Sequence, residues 1–92
     1  MKESETTMKK AVALGYDPEK DIAPKVLAKG QGFVAERILA IAEEHHLYIR
    51  EDQHLVDYLS ALDLYQEIPP PLYGIVAEIM SFIYRMDSDF RD

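Results

Sequence analysis

Short apolar runs separated by turn-forming residues occupy the first third of the chain. One run covers 11–16 and ends at Asp17, and a second covers 25–29 and ends at Gly30. Apolar runs of this length, bounded by aspartate, proline or glycine, are typical of strands that are buried on both faces. The polar connection between them contains two prolines, which oppose a helix there. We therefore predict two β-strands joined by a loop.

The spacing becomes helical after Gly32. Apolar side chains then recur every three or four residues up to about His45, which predicts an amphipathic helix. The inward positions of this helix are Val34, Ile38, Ile41 and Ala42. We expect Gly30, the first glycine of the turn before the helix, to take a positive φ. The apolar run 47–49 after the helix predicts a third strand.

Two more amphipathic segments complete the pattern. Asp52 is placed to cap the first of these helices. Its inward positions are Leu55, Val56, Leu59 and Leu62. The three prolines at 69–71 end any preceding helix and stiffen the approach to the last one. The buried stripe predicted for the last helix is Leu72, Ile75, Val76, Ile79, Met80 and Ile83.

The resulting order, β-β-α-β-α-α, predicts an α/β fold. We expect a small mixed sheet of three to four strands covered by three to four helices, because each helix has one apolar stripe. The middle strand–helix–strand unit should be a right-handed parallel crossover. The domain should span 10–86, preceded by a flexible arm at 1–9 and followed by a polar tail at 87–92.

Composition narrows the class of protein. The chain has 92 residues, no cysteine and a formal net charge of −7. One domain of this size must be stabilised by packing. The negative charge opposes binding to nucleic acid. No apolar run approaches the roughly 20 residues that span a bilayer, and no signal peptide is recognisable. We expect a cytoplasmic monomer with no membrane insertion.

The histidines are the first candidates for chemistry. His45 and His46 are adjacent at a helix end, where their side chains point about 100° apart, and His54 starts the next helix. A zinc site needs three or four converging ligands. A favourable interaction with the helix dipole explains histidine at a helix C-terminus better. We predict no metal site and no cofactor.

Other motifs are incomplete. The sequence Gly-Gln-Gly at 30–32 precedes a helix but lacks the third glycine of a dinucleotide fingerprint, so a tight turn is the better interpretation. Asp17, Glu19 and Asp21 alternate as in a calcium loop, without its glycine and its final glutamate. Ser60 and Ser81 lack a nucleophile elbow.

Aromatic residues form a possible partner surface near the C-terminus. The residues concerned are Tyr73, Phe82, Tyr84 and Phe90. Tyr73 and Tyr84 are eleven positions apart, which is close to three helical turns and places them on one face. Packing at the edge of the core is the alternative, and tyrosine can serve in both roles.

Particular segments resemble a known family. The matching stretches are 11–14, 16–20, 23–32, 66–69, 72–73, 76–79 and 84–85. They are similar, in order, to the cytoplasmic C-terminal domain of the flagellar type III export switch protein, the FlhB family. The resemblance covers about 10–86. It implies a role in flagellar biosynthesis and type III protein export, including the switch in substrate specificity. The implied partners are export apparatus proteins and export substrates.

The resemblance also implies a self-cleaving Asn-Pro-Thr-His loop just before the first strand. The corresponding positions hold Thr6, Thr7, Met8 and Lys9, and the chain contains no asparagine. The family's cleavage uses an asparagine side chain that attacks its own carbonyl, so this chemistry is excluded. We expect a stand-alone homologue that resembles the cleaved C-terminal fragment.

The family's recognition pocket implies a binding site here. The corresponding positions are Ala23, Pro24, Ala77 and Met80. Three keep the family's usual residue type, and Met80, which replaces a leucine-like residue, can adapt to several peptides. A contact between a loop and a helix, without a ligand, is the structural alternative.

Two functions follow from these observations. The first is a non-catalytic module of flagellar type III export that recognises substrates or contributes to specificity switching. The alternative is a small cytosolic protein-interaction domain with a partner outside motility. An enzyme is disfavoured, because no convergent set of titratable residues can be named.

Overall fold

The computed structural model describes residues 9–80, so the predicted tail and all of the predicted arm except Lys9 lie outside the described residues. The described elements are β1 (Lys10–Gly15), β2 (Lys25–Gln31), α1 (Phe33–Glu44), α2 (Gln53–Ser60), a 3-10 turn (Pro70–Leu72) and α3, which is helical over residues 73–80. This arrangement confirms the predicted α/β class.

Strands β1 and β2 form an antiparallel pair. Lys10 lies opposite Gln31 at one end of the pair, and Gly15 lies opposite Lys25 at the other. The register shifts after Ala13, which leaves Leu27 without a partner opposite it. One extra residue of this kind is a β-bulge, which increases the local twist of the sheet.

The predicted third strand at 47–49 is wrong, and so are the parallel crossover and the mixed sheet of three to four strands, because the sheet of residues 9–80 has two antiparallel strands. Residues 47–50 are not in a strand, and the N–H of Leu47 donates to Ala42 O (2.8 Å) at the end of α1. The free edge of β2 is instead paired at its start with 65–68. There the N–H of Val26 donates to Gln66 O (3.0 Å), and Lys25 forms a bridge with Glu67.

The two faces of the sheet are covered by different elements. Val12 and Leu14 on β1 pack against the main core. That core consists of Ala23, Leu59, Ile68, Leu72 and Val76. Since strand side chains alternate, Ala11 and Ala13 face the other way. Helix α1 contacts both strands but not α2, and therefore covers this second face. The prediction that helices cover the sheet is confirmed.

Helix α1 is rotated relative to its predicted face. Its one fully buried side chain is Ala35, and Ile38, Leu39 and Ala42 are half-buried. Val34 and Ile41, which were predicted to face inward, are 53% and 43% exposed. The small side chains of Ala35 and Ala11, both buried, allow a close approach of helix and sheet. The inward stripe is thus centred one position beyond the prediction.

The other helices follow the sequence pattern closely. Asp52 caps α2 as predicted, because its Oδ1 accepts a hydrogen bond from the N–H of Leu55 at 3.0 Å. The turn before α1 differs from the prediction: Gly32, and not Gly30, has the positive φ, of 64°. Gly30 has a steric role instead, since a Cβ there would overlap Cγ1 of Val34.

Candidate functional site

An open apolar groove lies between the β1–β2 loop and α3. Its volume is about 570 Å³, which is within the range of small-ligand and peptide sites. The residues that line it are Tyr16, Pro18, Ile22, Ala23, Pro24, Ile68, Tyr73, Val76, Ala77 and Met80. All ten are uncharged, so the groove favours an apolar occupant.

One face of α3 forms the first wall. Its lining residues are Tyr73, Val76, Ala77 and Met80. The spacing i, i+3, i+4, i+7 places these four side chains on one side of a helix. Val76 is only 1% exposed, while Ala77 is exposed and Tyr73 is 43% exposed. The wall therefore runs from the core to the protein surface, and the small Ala77 keeps it open.

The segment 16–24 forms the second wall. Its turn begins at Asp17, whose carbonyl oxygen accepts hydrogen bonds from the N–H groups of Lys20 (3.0 Å) and Asp21 (2.7 Å). At its far end, Pro24 O accepts a hydrogen bond from the N–H of Ile68 (2.9 Å). Ala23 and Ile68, both almost completely buried, form the floor. The loop is thus anchored at both ends beside the groove.

The acidic residues of this loop stabilise the loop itself. Asp17 Oδ1 accepts from the N–H of Glu19 (3.0 Å), and Asp21 Oδ2 accepts from the N–H of Asp17 (2.8 Å). The hydrogen bond from Asp17, with help from the nearby Lys25 ammonium, lowers the pKa of Asp21 below its ordinary value. These contacts explain the alternating acids by turn formation, without a calcium ion.

The histidines have separate positions. His45 is the C-cap residue of α1, His46 follows it with a φ of 57°, and His54 lies in the first turn of α2. Within residues 9–80, no group of three or more histidine, cysteine or acidic side chains is arranged to hold a metal.

The structure brings together the four residues that the resemblance implied. Ala23 and Pro24 lie on the loop wall, and Ala77 and Met80 lie opposite on α3. Their role in binding stays a prediction. Of the implied cleavage positions, Thr6, Thr7 and Met8 lie outside the described residues. Lys9 is exposed, and its carbonyl oxygen accepts from the N–H of Gly32 (2.8 Å).

Sequence reasoning missed six lining residues: Tyr16, Pro18, Ile22, Ile68, Tyr73 and Val76. The sequence pattern assigns Tyr73 only to an aromatic surface, whose other members lie outside the described residues. The helical spacing from Tyr73 to Met80 was a usable signal, because it continues the Ala77–Met80 pair. Nothing in the sequence pattern placed Ile68 beside the loop, since that contact depends on the pairing with β2.

Comparison with known proteins identifies the family. The profile of the FlhB HrpN YscU SpaS family matches residues 7–83. The chain belongs to this family. The resemblance found in the sequence motifs is thereby confirmed.

Relatives of the FlhB family differ greatly in length. The protein YlqH of Bacillus subtilis (strain 168) is 46% identical over 92 residues, which cover 100% of this chain and 98% of YlqH. The flagellar biosynthetic protein FlhB of Aquifex aeolicus (strain VF5) is 42% identical over 74 residues, which cover 79% of this chain and 21% of that protein. The chain therefore spans about a fifth of the length of this FlhB relative.

Solved structures in the FlhB family share the fold. The cytoplasmic domain of FlhB from Shewanella putrefaciens superposes with a TM-score of 0.80 at 28% identity, covering 91% of this chain and 71% of that one. The PscU C-terminal domain superposes with a TM-score of 0.73 at 25% identity, and the match covers 80% of this chain and 95% of the PscU domain. None of the helices within 9–80 has the length and apolarity needed to cross a membrane.

Proposed function

We propose that this protein is a non-catalytic protein-binding module of flagellar type III export. In this proposal it acts in the cytoplasm, and its groove recognises short apolar segments of export substrates or of export apparatus proteins. The observation that carries the proposal is the open, uncharged groove formed by Ala23, Pro24, Ala77 and Met80. Membership of the FlhB family supports the link to export.

The chemistry of the groove suits weak and reversible recognition. Burying one large apolar side chain contributes roughly 1.5–3 kcal/mol. Ordering a peptide and losing its free motion opposes this gain. Two or three inserted side chains should therefore give dissociation constants on the order of micromolar to millimolar. Weak binding of this kind allows a substrate to be recognised and then released during export.

Binding by the groove can be tested with labelled peptides. Fluorescence anisotropy would measure the affinity of the purified chain for peptides from hook-type export substrates. Ala77→Trp should abolish binding, because the indole would fill the groove from its α3 wall. The control is Ala40→Trp, since Ala40 is exposed on α1 and does not line the groove. Equal binding by wild type and Ala77→Trp would refute the proposed site.

A second candidate is a protein-interaction domain whose partner lies outside motility. The match to YlqH supports this alternative, because YlqH carries the domain without the remaining length of FlhB and so need not act in the same machinery. Complementation distinguishes the two candidates. Expression of the chain in a strain whose FlhB lacks its cytoplasmic domain should restore export if the first proposal holds. Peptide binding without any effect on export would favour the alternative.

A further inference from the structure

The loop wall of the groove has little packing of its own. Ile22, one of its lining residues, is 86% exposed. Ala23 is the only buried side chain between 16 and 24. A loop with so few buried contacts opens easily unless hydrogen bonds or ion pairs restrain it. The position of this wall must therefore be set largely by polar contacts.

The carboxylate of Asp21 makes two such polar contacts, one with each end of the loop. Its Oδ2 accepts a hydrogen bond from the N–H of Asp17 at 2.8 Å, and its Oδ1 lies 3.3 Å from Nζ of Lys25. Asp17 begins the turn, whereas Lys25 is the first residue of β2. The Asp21 side chain is only 13% exposed, which favours a well-defined geometry. One carboxylate thus connects both ends of the segment that contains Ile22.

We propose that Asp21 is a positioning residue of the groove, because its carboxylate holds the wall formed by Ile22, Ala23 and Pro24 in a shape ready for an apolar segment. This inference rests on the proposed function. Its physical basis is preorganisation: a wall that is already ordered does not have to lose conformational freedom when a peptide binds.

The charged groups around Asp21 agree with this role. Lys25 and Lys20 both stabilise the ionised carboxylate, and the N–H of Asp17 donates to it directly. Asp17 itself carries a carboxylate, but that group is turned toward the N–H of Glu19. Asp21 consequently stays ionised at neutral pH and keeps both of its contacts.

Three variants test the inference with the same anisotropy measurement. Asp21→Ala should weaken binding of a hook-type probe peptide roughly fivefold to tenfold, because the unrestrained loop would have to become ordered when the peptide binds. Asp21→Asn keeps one acceptor oxygen and should lose less affinity. Glu19→Ala, which removes a carboxylate from the same turn without touching these contacts, should bind like wild type. Equal affinities for all four proteins would overturn the inference.

Hydrogen exchange gives a readout that does not depend on a ligand. The amides of Asp17, Lys20 and Asp21 are hydrogen-bonded within the turn and should exchange faster in Asp21→Ala and Asp21→Asn, with the amides of α2 unchanged. Unchanged exchange in the turn would overturn the inference. If the wild-type chain binds no probe peptide, the proposed function fails, whereas the exchange rates still decide whether Asp21 orders the wall.

Discussion

The ammonium group of Lys29 in β2 donates a 2.6 Å hydrogen bond to the carbonyl oxygen of Leu62, just beyond the end of α2. It also donates to Ser60 O at 3.1 Å. The last carbonyl groups of a helix have no hydrogen-bond partner within the helix. A cation near them can donate hydrogen bonds to these groups and also interacts favourably with the helix dipole. Lys29 thus joins the sheet to the end of α2.

Replacing Lys29 with methionine should destabilise the fold by about 1–2 kcal/mol, because both carbonyl groups lose a charged donor. Urea unfolding followed by circular dichroism would measure the difference. Arg37→Met removes the same charge from an exposed position of α1 and should change stability little. If both variants lose equal stability, net charge and not the hydrogen bonds would explain the effect.

Two glycines should respond in opposite directions to the same substitution. Gly30→Ala should destabilise by about 1–3 kcal/mol, since the new Cβ would overlap the stiff side chain of Val34. Gly74→Ala should stabilise by about 0.5–1 kcal/mol, because Gly74 lies in α3 with open space around it. Thermal unfolding of both variants checks the prediction, and a gain in stability for Gly30→Ala would contradict it.

His46 follows the C-cap of α1 in a backbone conformation that favours glycine. Its φ is 57°, its N–H donates to Glu43 O, and the next N–H, of Leu47, donates to Ala42 O. This pattern is a Schellman motif, in which a left-handed residue follows the helix. Relief of the left-handed strain should make His46→Gly more stable by about 1 kcal/mol. His45→Gly, at a φ of −98°, should give no such gain in the same unfolding assay.

The pKa of Asp57 should depend on the ammonium group of Lys10. The hydrogen bond that Lys10 donates at 2.8 Å, with a second from Gln53, lowers the pKa of Asp57 below its ordinary 3.8. A carboxyl group whose pKa is lowered by folding stabilises the fold at pH values above its pKa in the unfolded chain. This contribution disappears as the pH falls through the pKa of the folded state. In an NMR titration, Lys10→Met should move the pKa of Asp57 up toward 3.8. No movement would show that the ion pair is absent in solution.

Local patterns in the sequence were sufficient for much of the fold. The two strands were predicted from short apolar runs between breakers, and Asp52 was predicted as a cap from the residue type that precedes a helix. The sequence motifs also identified the FlhB family and, by resemblance, the four residues that meet at the groove. In each case the signal lies in a few neighbouring residues or in the order of short motifs along the chain.

Contacts between distant segments were decided by the tertiary structure alone. The sequence at 47–49 has the composition of a strand, yet the segment 65–68 occupies the start of the free edge of β2. Strand propensity cannot say which of two segments reaches an edge, because pairing depends on the path of the whole chain. The rotation of α1 toward Ala35 has a similar origin, since the depth of a helix on a sheet depends on the side chains opposite it.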